Sequence, residues 1–535
     1  MTSRPPPLFV REATGIVRSF SPFDTFMFTT FGISYGVSLA LSLVTIPAVL
    51  PGANIAVALV AVIPFVLALG LLYAWFTEAM PRSGGDYVWI SRALHPALAL
   101  GLSIVWVFFQ ASFIGAFTGG FLLTSIVGAG LGTLGLLIGN AGLIASASYF
   151  ANNNVILLLG TLIILLMFVM LIFPLKVYLR IQQASWILGM ISVLIFFYIF
   201  GTTSHAQFVS TFNTYFGAYN ATYTGIISSA QSAGFSNPGL VTFGAPTALC
   251  VVYAVFLVNG YQMGGYIGGE LKNAKKAMYY SSIIGSIAIC LVLAAGGFQV
   301  QQVMGADFMN AVAFVSGAGT YPVPFPFNAY FLAILLGNNA VLGALLFIGL
   351  LAWSFVPNLV AGIILSRTMM SWGFDRSAPP ALAYVNDRLH IPVVGVIVYT
   401  ILAELGLLAS IYFGFIFSVL NFTLVLLLLF ACVGLAGMVY PYRRKDLFEL
   451  TPLARRKIGN IPAMSLLGAA VLVIFSILAY FTLSYPALSG PVGATAVGLV
   501  AGVFLIGVAI YYANRTYYKR KGLNIDAAFA VIPPE

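Results

Sequence analysis

Long apolar segments recur along the whole chain, with short polar connections between them. A helix that crosses a lipid bilayer needs about 20 mostly apolar residues, because the hydrocarbon core is about 30 Å thick and each helical residue adds about 1.5 Å. Only 7% of the 535 residues are charged, whereas a soluble domain has about 25%. We therefore predict an all-α polytopic membrane protein with about twelve transmembrane helices. The predicted spans 1 to 12, in chain order, are 23–46, 54–77, 97–128, 153–174, 184–201, 247–269, 278–301, 331–371, 393–411, 413–440, 463–484 and 491–512.

Two apolar stretches do not fit a simple span. Residues 131–150 are rich in glycine and serine, and we interpret them as a re-entrant or interfacial piece. Residues 331–371 are too long for one span, and we expect their first part to form a separate helix on the outer surface. Both stretches predict a departure from simple up-and-down helices.

The positive charges have a regular distribution. All 23 lysine and arginine residues fall on alternate connections, beginning with the N-terminal segment. Lys and Arg accumulate in cytoplasmic loops under the positive-inside rule. This pattern predicts an even number of spans in the cell membrane, with one transmembrane domain, 23–512, between two cytoplasmic segments, 1–22 and 513–535. The net charge of +10 would face anionic lipid headgroups, so no nucleic-acid partner is expected.

Two spans contain residues that interrupt an apolar helix. Span 1 contains Phe31-Gly32-Ile33-Ser34-Tyr35-Gly36, and residues 259–269 of span 6 contain five glycines together with Asn259 and Gln262. Packing through small residues would explain the glycines. The two amides would be costly against lipid and indicate an interior cavity. Unwound segments of this kind expose backbone N–H and C=O groups to a solute at mid-membrane.

The two candidate breaks are five spans apart. A five-plus-five inverted repeat pairs spans 1 and 6 and places the substrate at their breaks. The two repeats would cover about 23–201 and 247–440. Spans 11 and 12, about 463–512, would lie outside the repeats as two C-terminal helices.

Four stretches of the sequence resemble a known family. They are Glu78-Ala79-Met80-Pro81-Arg82-Ser83-Gly84-Gly85-Asp86-Tyr87, the segment from Gly260 to Asn273 that ends in Gly269-Glu270-Leu271-Lys272-Asn273, the segment from Ser366-Arg367 to Asp375-Arg376, and the end of the chain from Lys521 to Glu535. Together they are similar to motifs of the amino acid–polyamine–organocation permeases, which have the LeuT-type fold. The resemblance covers spans 1 to 10. It implies discontinuous helices 1 and 6 and secondary transport of amino acids by alternating access.

The family mechanism implies roles for particular residues. The substrate carboxylate would bind N–H groups of the span 1 break, and the ammonium would face carbonyl groups of the span 6 break, with Phe256 as an aromatic lid. The loop after span 2 would form part of the cytoplasmic gate, where Glu78 and Glu270 are either paired with nearby cations or solvated. The implied substrate-binding residues are Gly32, Ile33, Ser34, Tyr35, Gly36, Phe256, Asn259, Gly260, Tyr261 and Gln262, and the implied gate residues are Gly84, Gly85, Tyr87, Glu78 and Glu270.

The sequence departs from the family pattern at two positions of these breaks. Tyr35 places a phenol where many members have a small residue, so it could line the pocket and restrict its volume. Gln262 stands where many members have a glutamate, which removes a possible proton carrier or cation partner. The coupling mode therefore stays open between proton, sodium and exchange.

Other polar residues inside the spans are candidates for coupling. Glu404 is the carboxylate that we place well inside a span, and Ser354 and Asn358 could supply oxygen ligands to sodium. Each of the three could instead form a hydrogen bond between helices. Gln110 in span 3 and Asn421 in span 10 are further polar positions that could line a pocket.

Three alternatives compete with an amino acid permease, and the first of them belongs to the same class of transporter. A polyamine or organic-cation permease would be expected to carry acidic residues in its pocket. A membrane-embedded enzyme or redox subunit would need paired histidine ligands or a carboxylate cluster within the spans, and the sequence offers neither, so no metal and no cofactor are expected. A passive channel is the remaining alternative. The expected partners are a small amino acid, coupling H+ or Na+, and the lipid bilayer, with the oligomeric state left open.

Overall fold

The structure is a bundle of apolar helices that are long enough to cross a membrane. The computed structural model describes residues 9–10, 13–485, 488 and 493–533, without the side chains of 415–421, 493, 494 and 496. Within these residues, eleven helices have the length and composition of membrane spans, and a shorter apolar helix, Ala245–Leu257, occupies the position predicted for span 6. The prediction of an all-α protein with about twelve transmembrane helices is confirmed.

The spans differ in how continuous they are. Spans 1 and 2 are each divided by one residue, and spans 3 and 7 contain a π-helical stretch. The helices of the spans are Pro22–Ile33 (span 1a), Tyr35–Val49 (span 1b), Ile55–Ala61 and Ile63–Ala79 (2), Pro96–Phe117, Thr118–Gly128 and Ala129–Ile138 (3), Asn153–Leu171 (4), Leu175–Thr202 (5), Ala245–Leu257 (6), Ala274–Met278, Tyr279–Ile284 and Gly285–Met304 (7), Ala340–Phe374 (8), Val393–Phe413 (9), Phe415–Arg443 (10), Ala463–Ser484 (11) and Gly493–Arg520 (12).

Short elements connect these spans. They include one two-stranded antiparallel ribbon, in which Lys457 pairs with Pro462 and Ile458 with Ile461. The connecting helices are Asp86–Ala93, Ala141–Tyr149, His205–Phe216, Gly217–Tyr219, Tyr223–Ser232, Met263–Tyr266, Gly268–Glu270, Ala306–Gly317, Ala329–Phe331, Leu332–Gly337, Pro380–Ala383, Lys445–Phe448, Pro452–Arg455 and Ile525–Ala530, and the strands are Lys457–Ile458 and Ile461–Pro462.

The predicted re-entrant or interfacial piece, 131–150, is two different elements. Its first part continues span 3 as Ala129–Ile138, so that part of the prediction is wrong. The helix ends at Gly139, which has the left-handed conformation that glycine adopts without a Cβ clash. The exposed helix Ala141–Tyr149 then packs back against the end of span 3.

The long stretch 331–371 divides as expected, but its first part is not on the surface. A short helix, Leu332–Gly337, precedes span 8, and its residues Leu332 to Leu335 are buried. Asn338 separates the two helices in a left-handed conformation. Span 8 has 35 residues and is about 50 Å long at 1.5 Å per residue. Because the hydrocarbon core is about 30 Å thick, this helix tilts or extends beyond the core.

Glycine residues allow spans 3 and 9 to cross at very short distance. A Cβ atom on Gly115 would clash with the backbone of Ala403 and Leu407, and one on Gly406 would clash with the backbone of Ser112. Small residues at such crossings let helix backbones touch where the hydrophobic effect cannot drive helices together in lipid. The bundle therefore depends on backbone contact between these two spans.

The crossing of spans 3 and 9 generates a prediction about stability. We expect Gly406→Val to lower the thermal unfolding temperature of the purified protein markedly, because overpacking of a close contact costs about 1–3 kcal/mol or more. Gly502→Val on span 12 is the matched control, since a Cβ there meets nothing within 4 Å. Equal unfolding temperatures for the two variants would contradict the close crossing.

Candidate functional site

Span 1 is interrupted at a single residue, Ser34. Its backbone lies in the left-handed region, with φ 58° and ψ 82°, which is uncommon for a residue other than glycine. The Ser34 N–H still bonds to Thr30 O at 2.7 Å, and Ser38 N–H makes the first bond of span 1b, to Ser34 O at 2.7 Å. The N–H groups of Tyr35, Gly36 and Val37 consequently have no partner inside span 1b. The predicted break is present, and it is shorter than the stretch 32–36.

A proline in span 8 anchors this break. Pro357 has no N–H and therefore cannot bond to the carbonyl of Trp353 four residues earlier. The Ser34 hydroxyl donates to that carbonyl oxygen at 2.5 Å. The Trp353 carbonyl, which has no partner four residues later in span 8, thus holds Ser34 in its left-handed conformation.

Span 6 stops being an α-helix at Leu257, so its predicted extent to residue 269 is wrong. Gly260 follows with φ 133°, and two short 3-10 turns cover Met263–Tyr266 and Gly268–Glu270. Glycine reaches this conformation at little cost, and an L side chain would be strained. A Cβ on Gly260 would also clash with the backbone of Gly32 and Ile33. The two interruptions therefore touch backbone to backbone.

Gln262 stabilises the break in span 6 through hydrogen bonds to two neighbouring residues. Its Nε2 donates to Asn259 Oδ1 at 2.6 Å, and its Oε1 accepts from the N–H of Gly260 at 3.1 Å. The side chain is fully buried. This amide thus bonds within the unwound segment itself.

A cavity lies where the two breaks meet. It is lined by residues of spans 1, 3, 6, 8 and 10 and has a volume of about 70 Å³. The lining residues, none of them charged in the described part of the chain, are Gly32, Ile33, Ser34, Val37, Ser38, Leu41, Gln110, Phe113, Ile114, Phe117, Phe256, Leu257, Asn259, Met263, Pro357, Asn358 and Phe422.

Some of the predicted substrate residues line this cavity and others do not. Those that line it are Gly32, Ile33, Ser34, Phe256 and Asn259. The side chain of Tyr35 points elsewhere: its ring stacks on Trp353 at 5.7 Å, and its hydroxyl donates to Gly285 O at 3.3 Å. The expectation that Tyr35 restricts the pocket volume is therefore wrong.

The other predicted residues lie behind the cavity wall. A Cβ on Gly36 would press on the Trp353 ring, so this glycine serves packing between spans 1 and 8. The carbonyl of Tyr261 accepts from Ser282 in span 7 at 3.0 Å. Gly260 and Gln262 act within the break, through the contact with Gly32 and the hydrogen bonds given above.

Aromatic rings form one wall of the cavity. Phe113 of span 3 stacks on Phe422 of span 10 with ring centroids 4.9 Å apart. Phe256 contacts both rings edge-on, at 5.7 Å and 6.1 Å. The wall is therefore apolar and built from three different spans. The side chain of Asn421, the other polar candidate in span 10, lies outside the described residues.

Two buried amide oxygens of residues that line this cavity have no hydrogen-bond partner among the described residues. They are Gln110 Oε1 of span 3 and Asn358 Oδ1 of span 8. From the sequence, Asn358 was a possible sodium ligand or a helix–helix hydrogen-bonding residue, and Gln110 was a polar position that could line a pocket. Their position in a long apolar helix was the available signal, and it could not show which way they face.

The predicted gate glycines make close contacts on the predicted cytoplasmic side. Gly84 N–H bonds to Tyr266 O at 2.9 Å, and Gly85 packs against the Tyr266 ring. Both glycines have positive φ, 109° and 55°. The Tyr87 hydroxyl lies 2.8 Å from Ser377 Oγ. These contacts join the loop after span 2 to the exit of span 6 and the end of span 8.

Two buried ion pairs strengthen the same junction. Glu270 binds Arg367 of span 8 through Nε at 2.9 Å and Nη2 at 3.3 Å. Arg92 binds Asp375 at 2.6 Å and 2.9 Å. Only Glu270 was singled out from the sequence. The other three charges lie in or near the family motifs, but spacing along the chain does not show which acid meets which base.

Glu78 is paired rather than solvated. It lies 3.1 Å from Lys275 and 3.6 Å from Arg456, and its own side chain is only 6% exposed. The pairs connect span 2 with the start of span 7 and with the loop after span 10. Of the two alternatives left open for Glu78 and Glu270, the structure has both residues in ion pairs.

Asp86 is a buried carboxylate that sequence reasoning did not assign to the gate. It accepts from the hydroxyl of Tyr266 at 2.6 Å and from that of Tyr73 at 3.2 Å. Burial raises the pKa of Asp86 to about 6, although the two phenol hydrogen bonds act in the opposite direction. The loop after span 2 thus contains a group that titrates close to neutral pH.

The coupling candidates lie in different places. Glu404 accepts from Thr161 at 2.6 Å, beside the contact of spans 4 and 9, and does not line the cavity. Ser354 donates to Leu350 O at 2.6 Å within its own helix. Among these three candidates, Asn358 lines the cavity. Glu404 therefore has the helix–helix hydrogen bond that was its alternative interpretation.

The buried Glu270–Arg367 pair generates a prediction about stability. We expect Glu270→Gln to lower the unfolding temperature strongly, because removing one partner of a buried pair costs about 3–5 kcal/mol. Glu449→Gln is the control: its exposed pair with Lys445 should contribute less than about 1 kcal/mol. Equal unfolding temperatures for the two variants in detergent would contradict a buried pair between Glu270 and Arg367.

Asp86 generates a prediction about pH. Its folded-state pKa of about 6 lies above the ordinary value of 3.8, so the folded protein retains a proton that the unfolded chain releases. Its contribution to stability is therefore largest at low pH and falls as pH rises to about 6. We expect the unfolding temperature of Asp86→Asn, relative to the unmodified protein, to increase over that range. A difference that is independent of pH would contradict this assignment.

Comparison with known proteins agrees with this arrangement. The sequence matches the amino acid permease family over residues 20–512, which is nearly the whole chain. No curated protein matches it. The family match includes both interrupted spans, the cavity between them and the loop after span 2. The chain therefore belongs to the amino acid permeases of the amino acid–polyamine–organocation superfamily, a family of transporters rather than of enzymes.

Proposed function

We propose that this permease is a secondary active transporter that moves amino acids across the cell membrane by alternating access. Transport would be coupled to H+ or Na+ or would proceed by exchange. The observation that carries the proposal is the meeting of two interrupted helices, at Ser34 and Gly260, beside a cavity enclosed by five spans. Family membership supports the amino acid as substrate class.

The charge distribution of the two breaks complements a zwitterion. Span 1b begins at the cavity, and the start of a helix carries partial positive charge and free N–H groups, which favour a carboxylate. Span 6 ends there at Leu257, and the end of a helix carries partial negative charge and free carbonyl groups, which favour an ammonium. The substrate carboxylate would therefore bind at the start of span 1b, where Val37 lines the cavity.

The cavity favours an amino acid over the polyamine alternative. A polyamine carries several positive charges, and buried charges require paired partners. The described lining of the cavity contains no carboxylate. No observation specifically favours a polyamine or organic-cation permease, and the family assignment argues against a membrane-embedded enzyme.

Alternating access would require the gate contacts to break and re-form. The loop after span 2, the exit of span 6 and the end of span 8 are held together by Glu270–Arg367, Arg92–Asp375 and the backbone bond from Gly84 to Tyr266. Opening towards the predicted cytoplasmic side would expose these charges to water, which offsets part of the lost pairing. The gate is thus compatible with two states of similar free energy.

The orientation in the membrane is part of the proposal. Both termini would be cytoplasmic, because the lysines and arginines lie on alternate connections, beginning at the N-terminus, or in the parts of the spans that adjoin those connections. Gly84, Gly85, Tyr87, Glu78 and Glu270 would then form the inner gate. The coupling ion is the variable that a transport measurement must determine.

Uptake into proteoliposomes tests the proposal. Purified protein should show saturable uptake of labelled neutral amino acids and counterflow when the same amino acid is inside, and imposed pH or sodium gradients identify the coupling. Large unitary currents without counterflow would indicate a channel and contradict the transporter mechanism.

A cavity-filling variant links transport to the site. Ile114→Trp places a larger side chain in the cavity wall of span 3, so we expect uptake to fall at least tenfold while the protein still elutes as a folded species. Leu158→Trp on the exposed face of span 4 is the matched control and should transport normally. Undiminished uptake by Ile114→Trp would place the substrate elsewhere.

A further inference from the structure

Asp86 is a buried acid of the gate that forms no ion pair in the described part of the chain. Two other acids of this region have a cation: Glu270 pairs with Arg367, and Asp375 pairs with Arg92. Asp86 is fully buried, and its side chain accepts hydrogen bonds from two phenols. An ionised carboxylate that is buried without a counter-charge costs so much free energy that it takes up a proton instead. The surroundings of Asp86 therefore favour the protonated acid while the gate is closed.

The two phenols that bond to Asp86 come from different spans. The hydroxyl of Tyr266, in the unwound segment of span 6, donates to Oδ2 at 2.6 Å, and the hydroxyl of Tyr73 in span 2 donates to the same oxygen at 3.2 Å. Oδ1 is buried and has no hydrogen-bond partner among the described residues. A proton on Asp86 would thus lie on Oδ1, while Oδ2 accepts from both phenols.

Aromatic rings surround these hydrogen bonds. Trp106 of span 3 stacks on Tyr266 with ring centroids 5.8 Å apart, and Trp89 lies edge-on to Tyr73 at 5.1 Å. Burial raises the pKa of Asp86, and the hydrogen bonds from the two phenols lower it by less than burial raises it. The packing of the site and the direction of this shift both favour a neutral acid.

Charged side chains on the neighbouring elements bind other partners. Among the described residues, the titratable side chains that bond to Asp86 are therefore the two phenols alone. The charged neighbours and their partners are Arg92 with Asp375 on the helix that Asp86 begins, Glu78 with Lys275 and Arg456 at the end of span 2, Glu270 with Arg367 at the exit of span 6, and Arg82 with the carbonyls of Pro81 and Pro533.

Tyr266 connects Asp86 to the movement of the gate. Its carbonyl accepts from the N–H of Gly84 at 2.9 Å, so separating the loop after span 2 from span 6 also separates Tyr266 from Asp86. Water that enters would solvate the carboxylate and accept its proton, because hydration favours the charged form. Opening and proton release are thus linked, and by reciprocity a bound proton stabilises the closed gate.

We propose that Asp86 is a proton-binding site that holds the inner gate closed while it is protonated and allows the gate to open when the proton is lost to water. This inference rests on the proposed function, because it assigns a ligand to the gate of the same transporter. A fall in cytoplasmic pH would then slow transport, whichever ion drives it.

Counterflow of labelled L-alanine in proteoliposomes, with the same pH on both sides, tests the proposal. The pKa of Asp86 is about 6 in the closed gate and would approach its ordinary value of 3.8 in the hydrated one. The ratio of open to closed gates should therefore rise about tenfold between pH 5 and pH 7, and the counterflow rate should rise by up to that factor. Asp86→Asn is neutral at both pH values, so its rate should be low and independent of pH.

A second variant separates the proton site from a merely structural role. Tyr266→Phe keeps the ring beside Trp106 and removes the 2.6 Å hydrogen bond that favours the charged form of Asp86. The pH at which the rate is half-maximal should therefore move upwards, and this shift remains measurable if Asp86→Asn fails to fold. Glu449→Gln changes an exposed carboxylate and is the control, which should keep the pH dependence of the unmodified protein.

The outcomes distinguish this inference from the proposed function. Absence of counterflow for every amino acid at every pH would overturn the proposed function. A rate that falls as pH rises, an unchanged pH dependence in Asp86→Asn, or a half-maximal pH that does not increase in Tyr266→Phe would overturn only the inference. A flat profile in Asp86→Asn together with an upward shift in Tyr266→Phe would support it.

Discussion

The contact between the backbones of Gly32 and Gly260 is the constraint on which the rest of the site depends. A side chain on Gly260 would collide with the peptide of Gly32 and Ile33, so only glycine lets the two interruptions meet. This approach brings the start of span 1b and the end of span 6 to the same cavity. Helix ends carry opposite partial charges, and the membrane interior offers little water to satisfy them. Two helix ends at one buried position therefore cost free energy unless a ligand or other protein groups bond to their unpaired N–H and C=O groups.

The protein compensates in several places. Pro357 cannot donate to the Trp353 carbonyl, and the Ser34 hydroxyl donates to that carbonyl instead. Gln262 donates to Asn259 Oδ1 and accepts from the Gly260 N–H. Each bond removes an orphan group that the broken helices would otherwise leave buried. Among the lining side chains of the described residues, Gln110 Oε1 and Asn358 Oδ1 are buried without a hydrogen-bond partner.

The predicted cytoplasmic side follows a different physical principle. There the elements are joined by buried ion pairs, Glu270–Arg367 and Arg92–Asp375, and by the carboxylate of Asp86 between two phenols. Burying ions is costly, and their attraction compensates only while the partners remain in place. Such a junction is stable when closed and is also able to hydrate when open. The proposed gate would need this property, and a purely apolar junction lacks it.

The linear order of residues was sufficient for the membrane architecture, the location of both breaks and the family. Apolar length, glycine content and motif spacing are local properties, and a bilayer allows few alternatives to a helix. Three-dimensional packing alone decided that Tyr35 and Glu404 face away from the cavity and that Gln110 and Asn358 line it. It also decided that the α-helix of span 6 ends at Leu257. The rotation of a helix about its axis and the pairing of residues hundreds of positions apart arise from contacts between spans, which no local pattern records.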